Sequence, residues 1–220
     1  EAIDRVIGGL EKKKRVMNPK EKEIIAFHES GHALVAESVE HADPVHKISI
    51  IPRGIAALGY TQQLPTEDRY LMTRSELLDR LAVFLGGRVA EELVFEEIST
   101  GAQNDLQRAT DIARSMVTEY GMSNRLGLVT YERERRPMFL PESFSSGKSY
   151  SEERSAQIDG EISKIIEEAH ARVRGIISER RKVLDDLARL LLEKEVVPGE
   201  ELRKMLGKIP AETLPAPQVA

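Results

Sequence analysis

Three residues of this chain, His28, Glu29 and His32, form an H-E-x-x-H pattern that is typical of metal-dependent hydrolysis. The apolar-rich run at residues 26–37 predicts a buried helix around them. Helix positions i and i+4 lie one turn apart on the same face, so both imidazoles can bind one metal ion. The carboxylate of Glu29 can then take a proton from a water molecule on that metal. The pattern predicts hydrolysis of a peptide bond by a zinc-activated water.

The composition limits the classes of protein and the kinds of metal site. A length of 220 residues with 40% hydrophobic and 31% charged residues fits one large or two small soluble globular domains. The net charge of −5 gives no general attraction for nucleic acid. The absence of cysteine excludes thiolate ligands, so His, Asp or Glu must hold any zinc. No apolar run approaches the ~20 residues that span a bilayer, so we expect no direct membrane insertion.

A catalytic zinc usually has three protein ligands, and the third lies outside the motif. His41 and His46 are weak candidates, because they follow the predicted end of the motif helix. The better candidates are acids on later helices, namely Glu91, Glu92 and Asp105. Asp105 falls in a first helical turn, where the positive helix end keeps a carboxylate ionised, although such a residue often only caps the helix. The residues alone leave Asp105 and Glu91 about equal.

Around the motif, the sequence predicts one helix followed by a small hairpin. Asn18 suits the cap of the motif helix, which we expect to end near residues 41–44. Residues 47–51 and 57–64 have strand-like patterns separated by a Pro- and Gly-containing turn. The edge of such a hairpin could hold substrate as an added strand, or the hairpin could be purely structural.

The second half of the chain has a mainly helical pattern. Thr73 and Glu76 form a capping-box signature at the start of a helix. Residues 133–150 show no periodic pattern of apolar residues, which predicts a mobile loop. Two antiparallel helices with a turn near residues 178–182 are expected next, and a short helix starts at Pro198. The fold class is therefore predicted to be mainly α, with a small sheet and a C-terminal helical hairpin.

Five ordered segments resemble the peptidase domain of the FtsH family, the membrane-anchored ATP-dependent zinc proteases with an M41-type H-E-x-G-H motif. They are residues 27–33, 45–54, 57–61, 85–92 and 101–110. Residues 1–6 in addition resemble the end of that family's ATPase module. The resemblance covers nearly the whole chain up to about residue 206.

The resemblance implies a role for each candidate residue of the metal site. His28, His32 and Asp105 would hold one zinc ion per subunit, with Glu29 as the catalytic base. Glu91 would then support the site without binding the metal. The edge at Leu58, Gly59, Tyr60 and Thr61 would receive the substrate backbone.

The resemblance also implies a larger assembly. The expected protein is a homohexamer at the cytoplasmic face of the bacterial inner membrane, degrading unfolded or tagged cytosolic and membrane proteins. ATP would bind only an upstream AAA+ module. Residues 1–17 would connect to that module, residues 18–206 would form the peptidase domain, and residues 207–220 would be a flexible tail. The alternative is a non-catalytic domain for hexamer assembly.

Overall fold

The fold combines long helices with a small sheet, as the sequence predicted. The computed structural model describes residues 17–52, 58–65, 70–131 and 150–208. These residues form helices and short strands in the order α1 (Pro19–Ala36), β1 (Val45–Ser49), β2 (Tyr60–Gln63), α2 (Arg74–Phe95), α3 (Gln103–Thr118), α4 (Glu152–Glu179), α5 (Arg181–Lys194), β3 (Val196–Pro198) and α6 (Gly199–Met205). The predicted mainly α class is confirmed.

Helix α1 lies in the centre of the molecule because it is apolar on most of its circumference. Every residue from 28 to 36 is buried. Helix α2 packs against it where Gly31 faces Gly86, and a Cβ atom on Gly86 would lie 2.7 Å from the Gly31 carbonyl oxygen. Helix α5 also contacts α1, while α3 and α4 pack on α2. The motif helix is therefore held by two neighbouring helices.

The starts of α1 and α2 follow the predicted capping chemistry. The side chain of Asn18 accepts a hydrogen bond from the backbone N–H of Lys20, at 3.1 Å. In α2, Thr73 and Glu76 exchange both bonds of a capping box. Helix α2 then continues without a break through its paired glycines. Side-chain caps of this kind satisfy backbone donors that a helix start leaves without partners.

The predicted end of α1 at residues 41–44 is wrong, since the helix ends at Ala36. A tertiary contact explains the earlier end. The carboxylate of Glu37 accepts hydrogen bonds from the Val45 backbone N–H and from the Arg203 guanidinium, both at 3.0 Å. These bonds hold Glu37 toward strand β1 and helix α6, and the chain turns there.

The sheet has three antiparallel strands in the order β2-β1-β3. Ile48 in β1 pairs with Thr61 on one side and with Val197 on the other. The sequence predicted the hairpin of β1 and β2 but not β3, which is three residues long and lies far from β1 in the chain. Among the described residues, β2 pairs with β1 alone and therefore forms one edge of the sheet.

The C-terminal helices separate at Arg180, within the predicted turn at residues 178–182. Helix α4 packs mainly on α2, and α5 packs mainly on α1. The two helices have few contacts with each other. Each one packs mainly on a different helix of the core.

Some predicted segments lie outside the described residues. These are nearly all of the connector at residues 1–17, the predicted loop up to residue 149, and the tail from residue 209. Within the described part of the chain, no helix combines the length and apolar character needed to cross a membrane.

Candidate metal centre and active site

Helix α1 places His28 and His32 side by side in the interior. Both residues are less than 10% exposed, and their ring centroids lie 4.6 Å apart in an edge-to-face arrangement. The two Nε2 atoms are 3.0 Å from each other. Two nitrogen lone pairs at this distance repel unless a proton or a cation lies between them.

Asp105 on helix α3 completes a group of three possible ligands. Its Oδ2 atom lies 3.3 Å from Nε2 of His28 and 3.5 Å from Nε2 of His32. The three ligand atoms all lie within 4.8 Å of one another. Asp105 is in the first turn of α3, but the N-cap position of that helix is Ala102, where no side-chain capping bond forms. The position of Asp105 therefore favours a role toward the histidines over simple capping.

Hydrogen bonds to Nδ1 orient both imidazole rings. His32 Nδ1 donates to the Val83 carbonyl oxygen at 2.7 Å. His28 Nδ1 lies 2.7 Å from Oε1 of Glu91, whose other carboxylate oxygen accepts from the Ser99 backbone N–H. An ionised carboxylate accepts only, so Nδ1 is the donor in this pair. Both rings thus direct Nε2 at Asp105, in the tautomer that binds metals.

This donor set fits a zinc ion. Ligand atoms about 2.0–2.1 Å from a tetrahedral zinc lie about 3.4 Å apart, close to the separations of 3.0, 3.3 and 3.5 Å between these three atoms. Gly87 of α2 leaves space beside the rings, because a Cβ atom there would lie 2.5 Å from Cε1 of His28 and 2.6 Å from Nε2 of His32.

Negative charge surrounds the two imidazoles. Burial by itself would lower the pKa of His28, but hydrogen bonds to Asp105 and Glu91 and the nearby charge of Glu29 raise it to about 10. Burial opposes ionisation of Asp105 and Glu91 as well, yet contact with the histidines holds the pKa of each carboxyl below its usual value. The site therefore favours a bound positive charge, which a divalent cation supplies.

Glu29 is buried beside these residues and is only 7% exposed. Burial raises the pKa of its carboxyl, and the opposing effects come from His32, His28 and a hydrogen bond from Thr61. The Thr61 hydroxyl lies 2.8 Å from Oε2 of Glu29. A carboxylate with a raised pKa is a stronger base, which suits general-base chemistry near neutral pH.

An open cleft of about 520 Å³ leads to these groups. His28, Glu29, His32 and Asp105 line it, and so do all four residues of the predicted substrate edge, Leu58, Gly59, Tyr60 and Thr61. Edge strand β2 thus borders the same cleft as the possible metal ligands.

The other candidate ligands lie apart from the three convergent atoms. His41 bonds to Asp79 at 2.9 Å, and His46 is exposed on β1. Glu92 bonds to His170 and Arg88. Neither His41, His46 nor Glu92 lines the cleft.

Sequence reasoning missed several contacts that shape this site. The Val83 carbonyl orients His32, Gly87 gives the rings their space, and Thr61 bonds to Glu29. The paired glycines of α2 are a signal of close packing that the sequence carries. A backbone carbonyl such as that of Val83 has no sequence signature.

Comparison with known proteins found a family match and several similar proteins. The sequence model of the family described as Peptidase family M41 matches residues 15–205. Proteins named ATP-dependent zinc metalloprotease FtsH are similar to this chain: that of Syntrophobacter fumaroxidans is 63% identical over 95% of the chain, and that of Ralstonia pickettii 59% over 99%. The same name belongs to a Thermotoga maritima protein that is 50% identical over 94% of the chain.

These relatives are much longer than the chain. The aligned region covers 32%, 30% and 34% of the three proteins, respectively, so the chain spans about a third of each. The family match, in contrast, extends over most of the chain itself. On this evidence, the chain belongs to peptidase family M41.

Proposed function

We propose that the chain is a zinc-dependent endopeptidase domain in which His28, His32 and Asp105 bind one zinc ion and Glu29 is the catalytic base. The observation that carries the proposal is the convergence of three ligand atoms within 4.8 Å, beside a buried carboxylate, at an open cleft. Three protein ligands leave a fourth position for water or substrate, whereas structural zinc sites usually have four. The donor set therefore supports catalysis over a purely assembly role.

The proposed mechanism divides the work between the ion and the carboxylate. Zinc bound at this site would act as a Lewis acid that lowers the pKa of water and polarises the scissile carbonyl. Glu29 accepts a proton from the attacking water as the water oxygen adds to the carbonyl carbon. It then gives that proton to the amide nitrogen as the C–N bond breaks. The hydrogen bonds of Glu91 and of the Val83 carbonyl fix the two rings, so that Nε2 of each histidine would face a bound ion.

The cleft supports a polypeptide substrate rather than a small amide. Strand β2 borders it and offers an edge to which an extended peptide can add backbone hydrogen bonds. We assign this role to Leu58, Gly59, Tyr60 and Thr61. The apolar side chains of Ile24, Ile25 and Phe84 also line the cleft and suit an apolar substrate residue.

We extend the proposal to the longer protein that the relatives' name describes. In it, residues 18–206 form the peptidase domain, residues 1–17 connect to an upstream AAA+ module that binds ATP, and residues 207–220 form a tail. The complete protein would be a membrane-anchored homohexamer at the cytoplasmic face of the bacterial inner membrane. It would degrade unfolded or tagged cytosolic and membrane proteins. The relatives' name, ATP-dependent zinc metalloprotease FtsH, supports the ATP-binding module and the protease activity. The hexamer and the membrane location follow from the family resemblance.

The direct test is Glu29→Gln, which preserves size but removes the base. We expect kcat for an unfolded, fluorescently labelled protein to fall about 10²–10⁴-fold, as for loss of a general base, while zinc content stays near one ion per chain. Glu168→Gln on the exposed face of α4 is the matched control and should retain wild-type turnover. Unchanged turnover in Glu29→Gln would refute the role of Glu29.

A further inference from the structure

Edge strand β2 and the residue before it contact both carboxylate oxygens of Glu29. The Thr61 hydroxyl lies 2.8 Å from Oε2. Gly59 packs against the other oxygen so closely that a Cβ atom there would lie 2.8 Å from Oε1 and 2.9 Å from Cγ. The same few residues thus border the substrate cleft and enclose the head of the proposed base.

Thr61 has a second acceptor within reach. Its Oγ1 atom also lies 3.1 Å from the backbone carbonyl oxygen of Glu29. A threonine hydroxyl has one proton to donate and two lone pairs to accept with. When Glu29 is ionised, Thr61 donates to Oε2. The Thr61 hydroxyl therefore lies within hydrogen-bond reach of both the carboxylate and the backbone of Glu29.

The hydroxyl is held in place by its strand. Thr61 pairs with Ile48 of the central strand, so the backbone that carries the hydroxyl is fixed by the sheet. Thr61 is also partly buried, which limits competition from water for its hydrogen bonds.

We propose that Thr61 is a positioning residue that holds the carboxylate of Glu29 in the orientation that its role as base requires. The inference rests on the proposed function of Glu29 and adds a link between the strand that receives substrate and the base. The hydroxyl acts through Glu29 and contacts neither His28, His32 nor Asp105 in the described hydrogen bonds.

The test separates the hydroxyl from the shape of the side chain. Thr61→Val keeps a β-branched side chain that suits a strand, and Thr61→Ser keeps the hydroxyl. We expect Thr61→Val to lower kcat about 10- to 100-fold, as for loss of a hydrogen bond to a charged group, with KM within about 2-fold of wild type. Thr61→Ser should keep kcat within about 3-fold of wild type. Zinc content should not change, and thermal unfolding of the same preparations should show that each variant is folded at the assay temperature.

Two further variants complete the test. Thr110→Val removes a hydroxyl that bonds to the Leu106 carbonyl on α3 and should leave kcat unchanged. When Glu29→Gln is already present, adding Thr61→Val should lower the remaining kcat by less than about 2-fold. The effects of residues that act as a unit are not additive. A loss of kcat that came only from altered folding would instead appear equally in both backgrounds, so additive losses would contradict the positioning role.

The outcomes distinguish the two proposals. A zinc-loaded wild-type chain that cleaves no unfolded protein contradicts the proposed function. A wild-type chain that is active while Glu29→Gln is inactive supports that function. If Thr61→Val then keeps full kcat, changes only KM, or matches Thr61→Ser in its loss, the positioning role of Thr61 is wrong and the proposed function stands.

Discussion

Helix α2 carries two buried acids, and each pairs with a histidine from another part of the chain. The two pairs are chemically alike but differ in role. In the C-terminal half of α2, Glu91 lies 2.7 Å from Nδ1 of His28. Near its N-terminal half, Asp79 lies 2.9 Å from Nδ1 of His41. Both acids are at most 3% exposed, and in both the partner histidine holds the pKa of the carboxyl below its usual value although burial opposes this.

The two pairs differ in what surrounds them. Asp79 also accepts hydrogen bonds from the His41 backbone N–H at 3.0 Å and from the Arg172 guanidinium at 2.6 Å, so fixed donors balance its charge. Around His28, the second ring nitrogen faces another imidazole and a second carboxylate, and no lysine or arginine pairs with Asp105 among the described ion pairs. The Asp79 pair, whose charge is balanced by fixed donors, links parts of the fold. The excess of negative charge around the facing ring nitrogens of His28 and His32 instead favours a bound cation.

The largest expected effect comes from removing the carboxylate ligand. Asp105→Asn should lower zinc affinity by more than about 100-fold, above the cost of losing a supporting residue, and should abolish cleavage. Zinc content after dialysis against a buffered metal solution measures this. A variant that retains one zinc ion per chain with wild-type affinity would remove Asp105 from the proposed ligand set.

The paired substitutions Glu91→Gln and Asp79→Asn test the comparison itself. Glu91→Gln should lower zinc affinity about 10- to 100-fold, because the ring of His28 loses its charged partner. Asp79→Asn should keep zinc affinity but lower the free energy of unfolding by about 1–3 kcal/mol, as for loss of buried charged hydrogen bonds. Equal effects of both substitutions on zinc affinity would show that the two pairs do not differ as described.

A smaller effect is expected for Gly87→Ala. The added methyl group would overlap both imidazole rings and should lower zinc affinity and kcat about 10-fold, in the range of overpacking costs. Gly160→Ala on α4 is the matched control, since its Cβ atom would meet nothing within 4 Å. It should slightly raise helix stability and leave zinc affinity unchanged. Unaltered zinc binding in Gly87→Ala would mean that the rings can move away from α2.

The smallest effect concerns pH and the Asp79 pair. The folded-state pKa of Asp79 lies below its unfolded value, which is about 3.9. Its contribution to stability is therefore complete above that value and is lost as the pH falls through the folded-state pKa. Urea unfolding midpoints between about pH 5 and pH 2.5 should fall less steeply for Asp79→Asn than for wild type. Parallel profiles would contradict the lowered pKa.

The sequence predicted much of the fold because its local signals agreed with the tertiary structure. Asn18 and Thr73 mark helix starts through side-chain bonds within three residues, and both caps are present in the structure. The end of α1 could not be predicted in this way, since Glu37 bonds to the distant Arg203. Strand β3 was missed for the same reason, because its pairing depends on β1.

For the candidate site, the residues predicted the two histidines and Glu29 as a unit and left Asp105 and Glu91 tied. The family resemblance favoured Asp105, and the family itself is now established by the match over residues 15–205. The ligand roles stay predictions. The geometry supports them, because Asp105 faces Nε2 of both rings and Glu91 faces Nδ1 of one.

The sequence by itself determined that two imidazoles and a carboxylate lie on one turn of a buried helix, because helical periodicity is local. Only the tertiary structure decided which ring nitrogens face inward, which distant acid meets them and which strand contacts Glu29. Those features depend on where α2, α3 and β2 pack against α1, and packing joins residues that no spacing rule connects.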